Sequence, residues 1–317
     1  MTLAGATTKF VGLQAGGLTF LARFPKASSR VVPKPFLCSE PTLAGESSNR
    51  PSRLSSRCTV PIRITCAGET NVGRKRNHNE DNLLVYPERN LFVVADGMGG
   101  HACGEVASQM VVETMREYFN RAADDPDATW PGREERGRSS SENMLNAGIR
   151  WCNYSIWEKG QADQRFKNMG TTVVALHIGD DGLLTVAHVG DSRIYRLRGS
   201  ELHQVTEDHS LLNDYKKMAV LSPEEEANFP HKNIIVRACG LKQDVLVDLA
   251  REKPERGDIY MLCSDGLSGE VVDPQIREIM LREKASLESM AHSLVMQACE
   301  NGGKDNVTCI VVRFEEV

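Results

Sequence analysis

Residues 171–199 read Thr171-Thr-Val-Val-Ala-Leu-His-Ile178-Gly-Asp-Asp-Gly-Leu183-Leu-Thr-Val-Ala-His-Val189-Gly190-Asp-Ser192-Arg-Ile-Tyr-Arg-Leu197-Arg-Gly199. Three runs in it, Thr171–Ile178, Leu183–Val189 and Ser192–Leu197, are rich in β-branched residues and closed by Gly or Asp, the pattern of short strands. The connections around Gly190 and Gly199 are too short for a parallel crossover, so the strands they join are expected to be antiparallel neighbours. Outward from this stretch, Ile62–Ala67, Leu91–Ala95, Ile259–Cys263 and Val307–Phe314 have the same character. Between them lie helical patterns: Glu105–Phe119, with Ala107, Val111, Met115 and Tyr118 on one face, and Glu142–Trp157, with Leu145, Ile149, Cys152 and Ile156. A further helix is expected from about Ser286, a suitable N-cap, to Cys299. Few βαβ units are visible, and the fold class is therefore α+β, sheets covered by helices rather than a doubly wound fold.

The chain has 317 residues, 40% hydrophobic and 26% charged, which excludes a collagen-like or wholly disordered protein. The net charge of -5 is unevenly spread. Residues 1–66 carry nine Lys/Arg and only Glu40 and Glu46, whereas the remainder carries 29 basic and 41 acidic residues. An acidic body argues against nucleic acid as a partner and suits a protein that collects cations. Residues 1–60, rich in Ser, Thr, Arg and Pro and without helical or alternating period, read as a disordered leader ahead of a domain at 61–317. A transit peptide, a flexible tail and a start assigned too far upstream are all compatible with that composition. The nine cysteines form no C-x-x-C pair and mostly sit in apolar runs, so they are read as reduced core residues. The uncharged stretch Phe10–Ala22 is 13 residues long, too short to span a bilayer.

Acidic residues recur at the ends of apolar strands beside glycine: Asp96-Gly97, Asp191 after Gly190, Asp265-Gly266, and Asp305 after Gly302-Gly-Lys. A single Asp-Gly reads as a turn. Four such carboxylates converging would repel one another without cations, and hard oxygen ligands select Mg²⁺ or Mn²⁺ over zinc. In Gly73-Arg-Lys-Arg-Asn-His-Asn-Glu80-Asp81 a basic run leads into two carboxylates. Arg76 is the cation singled out there, since a guanidinium beside metal-binding acids can clamp phosphate oxygens. No G-x-x-x-x-G-K-[ST] loop occurs, so P-loop nucleotide binding is not supported.

These stretches carry a specific resemblance. Gly73-x-x-Arg76-x-x-Asn79-Glu80-Asp81, Val93-Val-Ala-Asp96-Gly97-Met-Gly-Gly-His101, Met169-Gly-Thr-Thr172, His188-Val-Gly-Asp191-Ser-Arg193, Cys263-Ser-Asp265-Gly266-Leu267 and Lys304-Asp305-Asn306-Val-Thr308 occur in the order seen in PP2C-type (PPM) metal-dependent Ser/Thr protein phosphatases. The chain resembles the bacterial branch over about residues 62–315. The resemblance implies a central antiparallel β-sandwich flanked by helices, two Mg²⁺ or Mn²⁺ at one edge, and hydrolysis of phosphoserine and phosphothreonine by a metal-bridging hydroxide. It assigns Asp96 to both metals, Asp81 and the Gly97 carbonyl to completing their coordination, and Asp265 and Asp305 to the other metal. Glu80, Asp191 and Asn306 fall outside that shell as supports, and Arg76 would hold the phosphoryl oxygens.

The chain departs from related patterns at two places. Met98 stands where the eukaryotic branch has a His after Asp-Gly, which leaves His101 as the candidate general acid, against a structural role for it or proton donation by metal-bound water. Gly269 stands where many bacterial members place an acid for a third metal, with Glu270 beside it, so a third metal is in doubt. Residues Leu211–His231 correspond to the family's variable flap beside the active site, either a protein-substrate contact or a solvated helix. The expected partners are phosphoproteins, with a cognate Ser/Thr kinase opposing the enzyme, and neither nucleic acid nor a membrane span. The motif style favours a bacterial-type cytoplasmic enzyme, and a genuine transit peptide would instead place it in a plastid or mitochondrion. A phosphatase-fold binding module without catalysis and a small-molecule phosphoesterase are the alternative functions.

Overall fold

The apolar runs are nearly continuous because the strands they form are buried on both faces. In Leu91-Phe-Val-Val-Ala95, Phe92 and Val94 point into one core while Leu91, Val93 and Ala95 point into another. In the last strand Ile310, Val312 and Phe314 enter the first of these cores, and Val307, Cys309 and Val311 enter a third. A strand with both faces covered needs no polar alternation, and each fully buried side chain of this size contributes roughly 1.5–3 kcal/mol.

The computed structural model describes residues 7–11, 63–99, 103–124, 135–218, 221–222, 224–225, 229–230 and 234–316. In chain order the strands are β1 (Thr7–Val11), β2 (Arg63–Asn71), β3 (Asp81–Tyr86), β4 (Leu91–Met98), β5 (Gly170–Thr171), β6 (Val173–Ile178), β7 (Leu184–Val189), β8 (Arg193–Arg198), β9 (Glu201–Gln204), β10 (Asp248–Glu252), β11 (Ile259–Cys263) and β12 (Val307–Glu316). The helices are α1 (Cys103–Asp124), α2 (Ser140–Ala162), α3 (Leu211–Met218), α4 (Asp265–Ser268), α5 (Asp273–Arg282) and α6 (Leu287–Asn301). One antiparallel sheet runs β1-β2-β12-β11-β8-β9, the other β10-β7-β6-β4-β3 with the short β5 on β4. Their facing surfaces meet in the core of Phe92, Leu176, Tyr260, Leu262 and Phe314. Helices α1 and α2 cover the outer face of the second sheet through Ala107, Val111, Met115, Leu145 and Ile149. Helices α5 and α6 cover the first through Ile276, Ile279, Met290 and Leu294. The α+β fold is thus an antiparallel sandwich flanked by helices, as the sequence resemblance implies.

The helices sit where periodicity places them, with local reasons for their ends. Ser139 caps α2 in a reciprocal box, its hydroxyl accepting from the Glu142 amide (3.2 Å) while the Glu142 carboxylate accepts from the Ser139 amide (2.7 Å). Ser286 caps α6, its side chain accepting from the Ser289 amide at 3.2 Å. The seven described cysteines are all buried, in keeping with core thiols.

Two expectations change. The strands flanking Gly190 are not hairpin partners: β7 pairs with β6 and β10, whereas β8 pairs with β11 and β9. At Gly190, φ +112°, the chain instead crosses from one sheet to the other, and a Cβ there would lie 2.6 Å from the Thr172 side chain. Connection length excludes a parallel crossover but does not distinguish pairing from passage between layers. The Gly199 connection is a hairpin, with Arg198 opposite Glu201. The leader reading expects no regular structure over residues 1–60, yet Thr7–Val11 forms β1, pairing with β2 from Thr7↔Asn71 to Val11↔Ala67. An edge strand is held through backbone groups and requires no alternating pattern. The other residues of that segment lie outside the described residues. Among the described residues, no helix is long and apolar enough to cross a membrane.

Candidate active site

Both sheets deliver aspartates to one edge of the sandwich. Asp81 opens β3 directly opposite Asp96 near the end of β4. Asp191 lies in the Gly190 crossing, Asp265 opens α4 after β11, and Asp305 ends the loop before β12. A cleft of about 470 Å³ at this edge is lined by Arg76, Glu80, Asp96, Gly97, Asp265 and Asp305, together with Lys75, His78, Met98 and Ile235. Asp81 and Asp191 are buried behind it.

The carboxylates are crowded beyond what water could relieve. Burial pushes the Asp81 carboxyl up to about 7, with Asp265 and Asp305 adding repulsion. Burial and then Asp265 do the same to Asp191, also to about 7. Asp96 is raised well above the usual carboxylate range by burial, then by repulsion from Asp81 and Asp265. One oxygen of Asp81 and one of Asp191, both Oδ1, are buried without a hydrogen-bond partner among the described residues. Hard oxygen donors, mutual repulsion and unsatisfied buried lone pairs together fit divalent cations such as Mg²⁺ or Mn²⁺.

Hydroxyl groups hold these acids in place, and sequence reasoning did not single them out. Asp81 Oδ2 accepts from Ser264 Oγ (2.8 Å) and Thr308 Oγ1 (2.7 Å), while Oδ1 has no hydrogen-bond partner among the described residues. Thr171 Oγ1 donates to the Asp96 carbonyl at 2.8 Å, Thr172 Oγ1 accepts from the Asp96 amide at 3.1 Å, and Thr172 is joined to Ser192 at 2.7 Å. The Met169-Gly-Thr-Thr172 and Gly190-Asp-Ser192 stretches are therefore clasps on the Asp96 backbone. Their one sequence signal was membership of those motifs, since Ser and Thr elsewhere fill caps and turns.

The remaining singled-out residues converge on the same cleft. Arg76 Nη2 donates to Asp305 Oδ2 at 2.6 Å while remaining half exposed. Asn306 fixes the loop that carries Arg76: Nδ2 donates to the carbonyls of Val72 (3.0 Å) and His78 (2.9 Å), and Oδ1 accepts from the Glu80 amide (2.8 Å). The Glu80 carbonyl accepts from the Gly97 amide at 3.1 Å, and a Cβ on Gly97 would lie 2.6 Å from it and drive into the Gly104 carbonyl. Gly97 is glycine because β4 and the start of α1 touch there. Glu270, beside Gly269, is paired with Lys304 at 3.0 Å. His101 lies outside the described residues. In the flap, Ser210 bridges Ile235, which lines the cleft, and Tyr215 of α3 packs on Phe229 at 5.1 Å.

Comparison with known proteins agrees with this geometry. A family model described as protein phosphatase 2C matches residues 70–307. The serine/threonine phosphatase stp of Listeria monocytogenes is 36% identical over 246 residues, 77% of this chain and 93% of that protein. The crystal structure of the Mycobacterium tuberculosis serine/threonine phosphatase PstP is similar with a TM-score of 0.70 and 32% identity, covering 81% of this chain and 100% of that one. A structure of the PstP catalytic domain in complex with two manganese ions is similar with a TM-score of 0.67 and 33% identity at the same coverage. The chain belongs to the protein phosphatase 2C family.

Proposed function

We propose that this protein is a Mg²⁺- or Mn²⁺-dependent serine/threonine phosphatase that hydrolyses phosphoserine and phosphothreonine in proteins. The observation that carries the reading is the convergence of five aspartates from both sheets, two with unsatisfied buried oxygens, beside the half-exposed Arg76. Asp81, Asp96, Asp265 and Asp305, with the Gly97 carbonyl, would hold two divalent cations, and Asp191 supports the set. Bound there, the cations supply positive charge to the phosphoryl group and a water of lowered pKa. Arg76 binds and orients phosphoryl oxygens at the cleft and stabilises the charge that grows on them. The Asn306 and Glu80 contacts keep Arg76 facing the acids. Proton delivery to the leaving oxygen is assigned to His101. The substrates are phosphoproteins made by a Ser/Thr kinase, and the site of action is the cytoplasm, a reading supported by bacterial relatives.

The test is release of phosphate from a phosphothreonine peptide by the full chain with Mn²⁺, with EDTA, and by Asp96→Asn. Manganese-dependent release that Asp96→Asn abolishes is the expected result. Wild-type rates in Asp96→Asn at saturating Mn²⁺ would overturn the assignment.

A further inference from the structure

His209 stands between the acidic cluster and the flap and takes no part in the chemistry above. It is 5% exposed and precedes α3. Its amide donates to the Gly190 carbonyl at 2.9 Å, and its ring Nδ1 lies 3.0 Å from the Gly190 amide. A backbone N–H only donates, so Nδ1 carries the lone pair and the neutral ring has its proton on Nε2. That proton faces Asp248 Oδ2 of β10 at 3.1 Å, and Arg237 Nη1 donates to Asp248 Oδ1 at 2.5 Å. His188 of β7 stacks on the ring with centroids 4.6 Å apart. His188, His209 and Asp248 bring ligand atoms within 4.8 Å of one another, the arrangement of a cation site. Arg237, 3.0 Å from His209 Nε2, already supplies the positive charge there, so the group reads as a lock on one imidazole tautomer.

The lock bears on two parts of the cleft. Both backbone polar groups of Gly190 are held by His209, and Gly190 has a positive φ in which a glycine left unheld is freest to move. The next residue is Asp191, with its buried, unpartnered oxygen. On its other side the His209 carbonyl accepts from the Val236 amide at 2.9 Å, Ser210 bridges Ile235, and the Leu211 amide donates to the Ile234 carbonyl at 2.9 Å. That short ladder holds Ile235, which lines the cleft.

We infer that His209 is a positioning residue that clamps Gly190, and through it fixes the Asp191 carboxylate for cation binding while tying the flap stem to the same point. The inference rests on the phosphatase reading only in that the acids bind divalent cations. In the metal-free full chain, the Gly190 amide is expected to exchange slowly with solvent, and at least about tenfold faster in His209→Phe. Mn²⁺ affinity measured by calorimetry is expected to fall about tenfold in His209→Phe, the low end of what disturbing a contact just outside the metal ligands costs. His209→Asn places an oxygen near the Nδ1 position and should retain most of the affinity, whereas His209→Gln should not. In an Asp191→Asn background, His209→Phe should add less than about twofold, since both act through one carboxylate. Unchanged Mn²⁺ affinity in His209→Phe, or a full further loss on top of Asp191→Asn, would overturn the proposal. If His209→Phe does not fold, Asn and Gln variants of equal affinity would overturn it as well. Turnover of p-nitrophenyl phosphate by wild-type protein tests the phosphatase reading separately, because its failure leaves the exchange and Mn²⁺ results intact.

Discussion

Replacing Asp191 by Asn keeps the shape of the side chain and removes its charge. Burial, then Asp265, raises the folded-state pKa of Asp191 from 3.8 to about 7. A carboxyl raised on folding favours the native state only while protonated, so its contribution is lost as pH climbs from about 4 through about 7. At 1.36 kcal/mol per pKa unit, the ionised group costs the metal-free protein about 4 kcal/mol at pH 8. At pH 5.5 the native state keeps the proton that the unfolded chain has shed, and the cost is about 2 kcal/mol. Asp191→Asn, neutral throughout, should therefore stabilise the EDTA-treated protein by up to about 4 kcal/mol at pH 8 and about half of that at pH 5.5. Urea denaturation at the two pH values measures it directly. With Mn²⁺ present the order should reverse, because wild type gains binding energy that the variant lacks. A variant less stable than wild type at pH 8 without metal, or one whose effect ignores pH, would refute the reasoning.

Arg76→Ala should lower kcat/KM on phosphopeptides by about 100-fold while Mn²⁺ affinity stays within a few fold, since it removes a donor to the phosphoryl oxygens and not a cation ligand. Steady-state kinetics and calorimetry together check this. Ser264→Ala takes one of two hydroxyl donors from the buried Asp81 carboxylate. It should cost about 1–3 kcal/mol of stability in denaturant melts and weaken Mn²⁺ binding about tenfold. Gly97→Ala sets a methyl against the Gly104 and Glu80 carbonyls. A loss of about 3 kcal/mol in the same melts, together with lost phosphate release, is the expected result.

How far the sequence revealed this molecule depends on how much of each signal is local. The faces of α1 and α2 were legible because four apolar residues at helical spacing, such as Ala107, Val111, Met115 and Tyr118, have one way to be buried together. The acids were legible because Asp followed by Gly at a strand end repeats at distant positions. The crossing at Gly190 is not legible locally, because pairing of β8 with β11 rather than β7 depends on residues some 65 positions further along the chain. Strand β10, Asp-Leu-Ala-Arg-Glu, was not anticipated: it is an edge strand, largely solvated, and has no apolar alternation to show. Ser264 and Thr308 were seen as letters of motifs but not as ligands of Asp81, because a hydroxyl's partner is set by the fold and not by its neighbours.

The acids do not belong to one sheet. Asp81 and Asp96 come from the β3–β4 side, and Asp265 and Asp305 from the β11–β12 side. Any ion gripping both pairs would act as a rivet through the open edge of the sandwich. The supply of manganese or magnesium in the cell would then govern how long each molecule survives proteases as well as how fast it works, so that starvation for the metal would thin out the enzyme population along with its activity.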